Sequence, residues 1–185
     1  MGRIAVIDTE TTWSDKVMSV GAVIADSRDY GVLDSRYYLI DPAFRAGGMY
    51  SHVLFMEGTP KEVIRNHERM AAEMRQWFKG HGVKTIFAYN AAFDKRHLPE
   101  FHDFDWCDIM RIAAYKQFNS RIPETAPCCK SGRIKSDYGV ESIYRLLSQD
   151  PIYREKHNGW YDALDELKIM ELLGLPLEVF ENAKI

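Results

Sequence analysis

The spacing of apolar residues changes along the chain, and each period marks an element. Arg3 to Asp8 encloses the unbroken apolar run Ile4-Ala5-Val6-Ile7, which predicts a short strand covered on both faces and therefore central in a sheet. Val17 to Ala25 and Arg36 to Ile40 are two more β-rich runs, parted by a polar stretch with Asp26, Ser27, Asp29 and Gly31. With the first run they predict an antiparallel meander. Thr59-Pro60-Lys61-Glu62 joins a capping box to a proline at the first helical position. Val63, Met70, Met74 and Trp77 follow at helical spacing until Gly80, which predicts one helix across the stretch. Val83 to Tyr89 then reads as a buried strand, Phe93 to Phe101 and Asp108 to Phe118 as helices, and residues 119 to 136 as a loop rich in Pro, Ser, Gly and Lys. Val140 to Leu147 resumes a helical pattern. Leu164, Leu167, Met170 and Leu173 share one face of a last long helix that begins near Asp162 and stops at Gly174.

Strands first, then helices alternating with strands, predict a mixed α/β sandwich of sheet and helices. A chain of 185 residues with 46% apolar composition can bury one sizeable core, so residues 1–185 are expected to form a single domain. No internal repeat, low-complexity tract or long linker divides it. No apolar run approaches the roughly 20 residues that a membrane-spanning helix needs, so the expectation is a soluble protein without a membrane partner. Cys107, Cys128 and Cys129 are odd in number and lack metal-ligand spacing. Adjacent cysteines rarely bridge without strain, so free thiols in a reducing, cytoplasmic setting are expected.

Charge changes this picture locally. The formal net charge of −3 argues against non-specific coating of nucleic acid. Between Arg111 and Ser136, however, six basic residues face Glu124 alone, a surplus of five that leaves the remainder at −8. Lys130, Arg133 and Lys135 in this stretch are candidates to guide a polyanion.

Three segments carry candidate chemistry. Asp8 and Glu10 stand two apart at the end of the first strand, so both carboxylates reach the same face. Like charges emerging together from a core need compensation, and a divalent cation supplies it. Asp94 follows the strand ending at Tyr89 through Asn90-Ala91-Ala92-Phe93 and opens a short helix, where an ordinary cap is the plain alternative. In His157-Asn158-Gly159-Trp160-Tyr161-Asp162, Asn158 and Gly159 read as a turn between His157 and a helix whose first turn holds Asp162. Asp162 alone is also explained as a favourable charge near a helix N-terminus.

Together, Asp-Thr-Glu at a strand end, Asn-Ala-Ala-Phe-Asp after a later strand and His-x4-Asp opening the last helix resemble the DEDDh family of 3′-to-5′ exonucleases. That family includes polymerase proofreading subunits, oligoribonuclease and ribonuclease T. The resemblance spans residues 4 to 173. The related tyrosine-bearing branch places Tyr four residues before the last Asp, where this chain has Asn158, so the histidine branch is the match. Trp13 stands where glycine often follows the paired threonines, and Gly159 where alanine often follows the histidine.

The resemblance implies an α/β, ribonuclease H-like fold with a central mixed five-stranded sheet flanked by helices. It makes Asp8, Glu10, Asp94 and Asp162 ligands of two divalent ions, with Asp8 bridging them, and His157 the general base. Hard carboxylate oxygens favour Mg²⁺ or Mn²⁺. An imidazole of unperturbed pKa about 6.5 is suited to accept a proton from water near neutrality. The expected reaction removes nucleoside 5′-monophosphates from the 3′ end of single-stranded DNA or RNA. Thr11 and Asn90, flanking the ligands, are candidates to contact the terminal nucleotide, and Phe93 to pack beneath it. Asp108 and Asp165 are expected in supporting roles, and His52, His67, His81, His97 and His102 as surface or helix residues. The alternative from another class is a catalytically weak module that binds nucleic acid or protein on the same fold. The choice between DNA and RNA, and association with a second copy or a polymerase, are left open by the sequence.

Overall fold

Helices cover both faces of the first strand, β1 (Arg3–Thr11), which is why Ile4 to Ile7 are at most 2% exposed. The computed structural model describes residues 2–185. β2 (Val17–Asp26) runs antiparallel to β1 with Gly21 opposite Asp8, and β3 (Val32–Ile40) runs antiparallel to β2, forming the expected meander. A short helix α1 (Ala43–Ala46) and a 3-10 turn (Ser51–Val53) lead to β4 (Val63–Arg65). Helix α2 (His67–His81) precedes β5 (Thr85–Ala88), which lies parallel to β1 on its other side. Helix α3 (Ala92–His97) and a 3-10 turn (Pro99–Phe101) lead to β6 (Asp105–Asp108), parallel to β5. Four helices follow: α4 (Met110–Ala113), α5 (Val140–Ser148), α6 (Gly159–Leu173) and α7 (Leu177–Glu181).

The sheet order is β4-β3-β2-β1-β5-β6. One core layer joins Val6, Val23 and Phe87 of the sheet to Ile143, Leu167 and Met170 of α5 and α6. The other joins Ile7, Val20 and Ile86 to Met74 and Phe78 of α2 and to Phe101. The alternation of β1 residues between these layers sends Asp8 and Glu10 to the α6 side.

Four expectations are corrected. The sheet has six strands, not five, because β4 adds to the open edge of β3 with Leu39 opposite Ile64. For the same reason no helix starts at Thr59: edge pairing claims residues 63–65, and Thr59 Oγ1 donates to Met56 O at 2.8 Å. The helix begins one residue after Asn66, whose side chain accepts from Arg69 N at 2.9 Å. The predicted helix from Asp108 to Phe118 shrinks to α4. Asp108 belongs to β6, and buried Asn119 donates to Ala113 O at 2.7 Å, turning the chain where the helix would have continued. Finally, Asn158 and Gly159 do not form a separate turn. Asn158 is the N-cap of α6, accepting from Trp160 N at 3.2 Å, so this helix starts at Gly159 rather than near Asp162.

The stretch 119–136 is free of helix and strand, as expected, but it is tied down. Isolated bridges join Cys128 to Ile134 and Tyr115 to Arg133, folding residues 128–134 back on themselves.

Candidate active site

The strand ends bring the acids together. β1 and β5 are parallel with Val6 beside Phe87, so the segments following them emerge side by side. This sets Asp94, in the first turn of α3, next to Thr9: its Oδ1 accepts from Thr9 N at 3.0 Å and from Thr9 Oγ1 at 2.7 Å. On the other flank, α6 reaches β1 because two glycines meet. A Cβ on Gly21 would lie 2.1 Å from the backbone carbonyl of Gly159, so only glycine there lets α6 start directly over β2. One helical turn later, Asp162 comes close enough to Asp8 for the two carboxyls to repel.

Asp8, Glu10, Asp94, Asp162 and His157 all line one cavity of about 500 Å³, as do Thr11, Asn90 and Phe93. Donor atoms of Glu10, His157 and Asp162 lie within 4.8 Å of one another. His157 is thus as near to these acids as a further ligand would be, as well as in reach of a water among them. Lys130, Arg133 and Lys135 do not line the cavity. Arg133 alone is tied to its wall, at one remove: the Arg133 guanidinium lies 4.5 Å from the Tyr138 ring, Tyr138 O accepts from Tyr89 Oη, and Tyr89 lines the cavity.

Burial governs the electrostatics. It pushes the Glu10 carboxyl up to about 9, with Asp162 adding repulsion, and Asp162 up to about 8, with Glu155 adding. Burial also lifts Asp94 to about 7, against the two Thr9 hydrogen bonds that favour its anion. Asp8 rises well above the usual carboxylate range, from burial first and then from Asp162 and Asp94. Asp8 keeps some exposure as a residue, yet its Oδ2 is buried, as is Asp162 Oδ1, and neither has a hydrogen-bond partner among the described residues. Orphaned acceptors amid mutually repelling acids fit a cation, and hard oxygens from Asp8, Glu10, Asp94 and Asp162 fit a divalent one. Burial lowers the His157 pKa, which keeps its imidazole neutral and able to accept a proton.

Several residues at or behind the cavity escaped the sequence reading. Glu166 is 2% exposed, lies among the same acids and accepts from Tyr89 N at 3.0 Å. Its place four residues after Asp162 on one helix face was a usable signal. Glu155 lines the cavity, and burial raises it to about 7. Thr9 and Tyr50 had no signal, since their importance rests on distant partners. Asp108, expected in support, accepts from Asn90 N at 2.9 Å and so shapes the loop before Asp94. Asp165 accepts from Tyr153 Oη. None of His52, His67, His81, His97 and His102 lines the cavity, although the His97 side chain is largely buried against Asp15. The three cysteines are free. Trp13 stands at the cavity rim, 73% exposed.

The mixed sheet, its order and the flanking helices make this an α/β, ribonuclease H-like fold. Solved structures of E. coli exonuclease I share it. The zinc-bound complex of that enzyme with single-stranded DNA matches with a TM-score of 0.62 at 18% identity, over 94% of this chain and 40% of that one. Its complex with a dT13 oligonucleotide matches with a TM-score of 0.64 at 17% identity, over 98% and 43%. The chain therefore spans about two fifths of the length of the exonuclease I chains it matches. At these identities the likeness is one of fold. No protein-family model matches the sequence, and no curated protein matches it. Among the described residues, no helix is long and apolar enough to cross a membrane.

Proposed function

We propose that residues 1–185 are a metal-dependent 3′-to-5′ exonuclease unit of the DEDDh type, which removes nucleoside 5′-monophosphates from single-stranded DNA or RNA. The observation that carries this is the pair of buried oxygens, Asp8 Oδ2 and Asp162 Oδ1, which have no hydrogen-bond partner among the described residues and belong to a cleft that Asp8, Glu10, Asp94, Asp162 and His157 all line. Asp8, Glu10, Asp94 and Asp162 would hold two divalent ions, Mg²⁺ or Mn²⁺. Bound there, such ions neutralise the phosphodiester and acidify water.

The chain's own residues do the rest. Neutral His157 takes the proton of the attacking water, and its lowered pKa keeps it unprotonated at neutral pH. Thr9 holds the Asp94 carboxylate in one orientation by two hydrogen bonds. Thr11 and Asn90 contact the terminal nucleotide, with Phe93 beneath its base. The fold shared with exonuclease I, which has been solved with single-stranded DNA, supports the same class of substrate.

The test is digestion of 3′-labelled single strands of DNA and RNA, with and without chelator, by the wild type and by Asp8→Ala. Mononucleotides should appear only in the wild type with metal. Hydrolysis by Asp8→Ala in excess chelator would defeat the two-metal reading. A folded wild type that binds Mn²⁺ and oligonucleotide but releases nothing would instead favour a binding module.

A further inference from the structure

Resting on the reading of His157 as the base, we propose that Tyr50 is a positioning residue that holds the His157 imidazole by stacking, and that Asn158 pins the segment carrying Tyr50. His157 is otherwise weakly held. Its backbone lies in the left-handed region at φ 54°, and its side chain is 39% exposed. Its nearest acid, Glu155, stands 3.9 Å from Nδ1, beyond hydrogen-bond reach. What fixes the ring is Tyr50, whose ring centroid lies 4.1 Å away with planes 14° apart. The terminal torsion of a histidine has broad wells, and a flat neighbour narrows them. Stacking does so without engaging either imidazole nitrogen, and one of them lies within 4.8 Å of carboxylate oxygens of Glu10 and Asp162. A hydrogen bond would have occupied one.

Tyr50 lies outside the sheet, just after Gly47-Gly48-Met49, so it needs an anchor of its own. Asn158 provides it. This residue is fully buried, and its Nδ2 donates to Val53 O at 2.8 Å and to Tyr37 Oη at 3.1 Å while its Oδ1 caps α6. Val53 N in turn donates to Tyr50 O at 3.1 Å. Tyr37 Oη donates to Leu54 O at 3.0 Å, and Tyr161 Oη to Glu57 O at 3.0 Å, tying down the rest of the segment. One side chain, adjacent in sequence to His157, thus sets both the start of α6 and the place of the ring that stacks on the base. The order of the sequence hides this, because Tyr50 and His157 are 107 positions apart.

The test combines kinetics with a spectroscopic signature. Turnover and Michaelis constant would be measured for Tyr50→Phe, Tyr50→Leu, His157→Ala and the double variant His157→Ala/Tyr50→Leu, with thermal unfolding of each. Tyr50→Phe keeps the stacking face and should behave as wild type. Tyr50→Leu should lose about tenfold in turnover with little change in Michaelis constant, as a mis-set base does. In the His157→Ala background the same leucine change should have no further effect, since Tyr50 acts only through the imidazole. The His157 ring-proton resonances, shifted upfield by the tyrosine, should move downfield in Tyr50→Leu and stay in Tyr50→Phe. If Tyr50→Leu loses its fold, Tyr50→Met fills the space flexibly and repeats the comparison.

An equal loss from Tyr50→Leu in both backgrounds would overturn the proposal in favour of a purely structural role. So would unchanged turnover in Tyr50→Leu. Full activity of His157→Ala would overturn the base assignment, a separate failure read from that variant alone.

Discussion

At the scale of single residues, the buried carboxylates link metal binding to stability. Glu10, Asp94 and Asp162 have folded-state pKa values of about 9, 7 and 8, all above the range near 4 of an unfolded chain. The folded state therefore holds protons that the unfolded state has released. The stability these groups contribute is fully present below about pH 4 and is lost as pH rises through 7 to 9. Metal-free protein should accordingly show a melting temperature that falls between pH 5 and 9, and excess Mg²⁺ should flatten that fall by replacing the protons. A flat profile in chelator would show that burial does not hold these carboxyls protonated as argued. Asp8→Asn should raise the melting temperature of chelated protein at pH 8, by roughly 2–4 °C for each kcal/mol of repulsion removed. It should abolish hydrolysis at the same time. His157→Ala should lower turnover by about 10² to 10⁴-fold with metal affinity measured alongside. Metal binding that collapses in this variant would identify the histidine as a ligand rather than a base, a role its closeness to Glu10 and Asp162 permits.

At the scale of elements, the contact between β2 and the start of α6 decides whether the site exists. Gly21→Ala puts a methyl 2.1 Å from the Gly159 carbonyl, and a backbone atom cannot swing aside. The variant should lose about 1–3 kcal/mol of stability, as overpacked sites do, and weaken Mn²⁺ binding because Asp162 moves with its helix. Gly80→Ala is the control. It sits near the end of α2 with nothing within 4 Å of its added methyl and should be neutral or slightly stabilising. Denaturant unfolding and metal titration of both separate the cases, and a Gly21→Ala variant with wild-type metal affinity would show that α6 reaches β1 by other contacts.

At the scale of the whole molecule, the proposed activity requires a chain of net charge −3 with an acidic cleft to attract a polyanion. In the stretch that carries Lys130, Arg133 and Lys135, Arg133 packs on Tyr138, which bonds to Tyr89 in the cavity wall, and none of the three lines the cavity. On the proposed activity, a strand whose 3′ end occupies the cleft would meet this stretch upstream of that end. Replacing the three residues by alanine should raise the Michaelis constant for long substrates and flatten its dependence on salt, because fewer counterions are released on binding. Cleavage of a dinucleotide should hardly change. Equal losses on both substrates would assign this stretch to folding instead.

The parts legible in the sequence were those in which a short stretch declares its own environment. An apolar run covered on both faces, as in β1, and acids at the ends of such runs, as at Asp8, Glu10 and Asp94, are local patterns. They located the meander and drew attention to Asp8, Glu10 and Asp94, whereas His157 and Asp162 gained their roles only from the resemblance; all five line one cavity. Elements whose partners lie far away in sequence were not legible. β4 is a strand because the edge of β3 offers its backbone hydrogen bonds, which overrode a strong local helix signal at Thr59. β6 is four residues long, too short for a period to appear. Tyr50 met His157 only through the bonds of Asn158, whereas Glu166, one turn beyond Asp162, offered a helical-spacing signal that the tertiary fold then placed among the acids. The sequence by itself determined which residues could carry charge out of a core. Tertiary structure alone decided which charges share one cleft and which ring faces the histidine, because proximity across the chain follows from strand register and helix docking rather than from spacing.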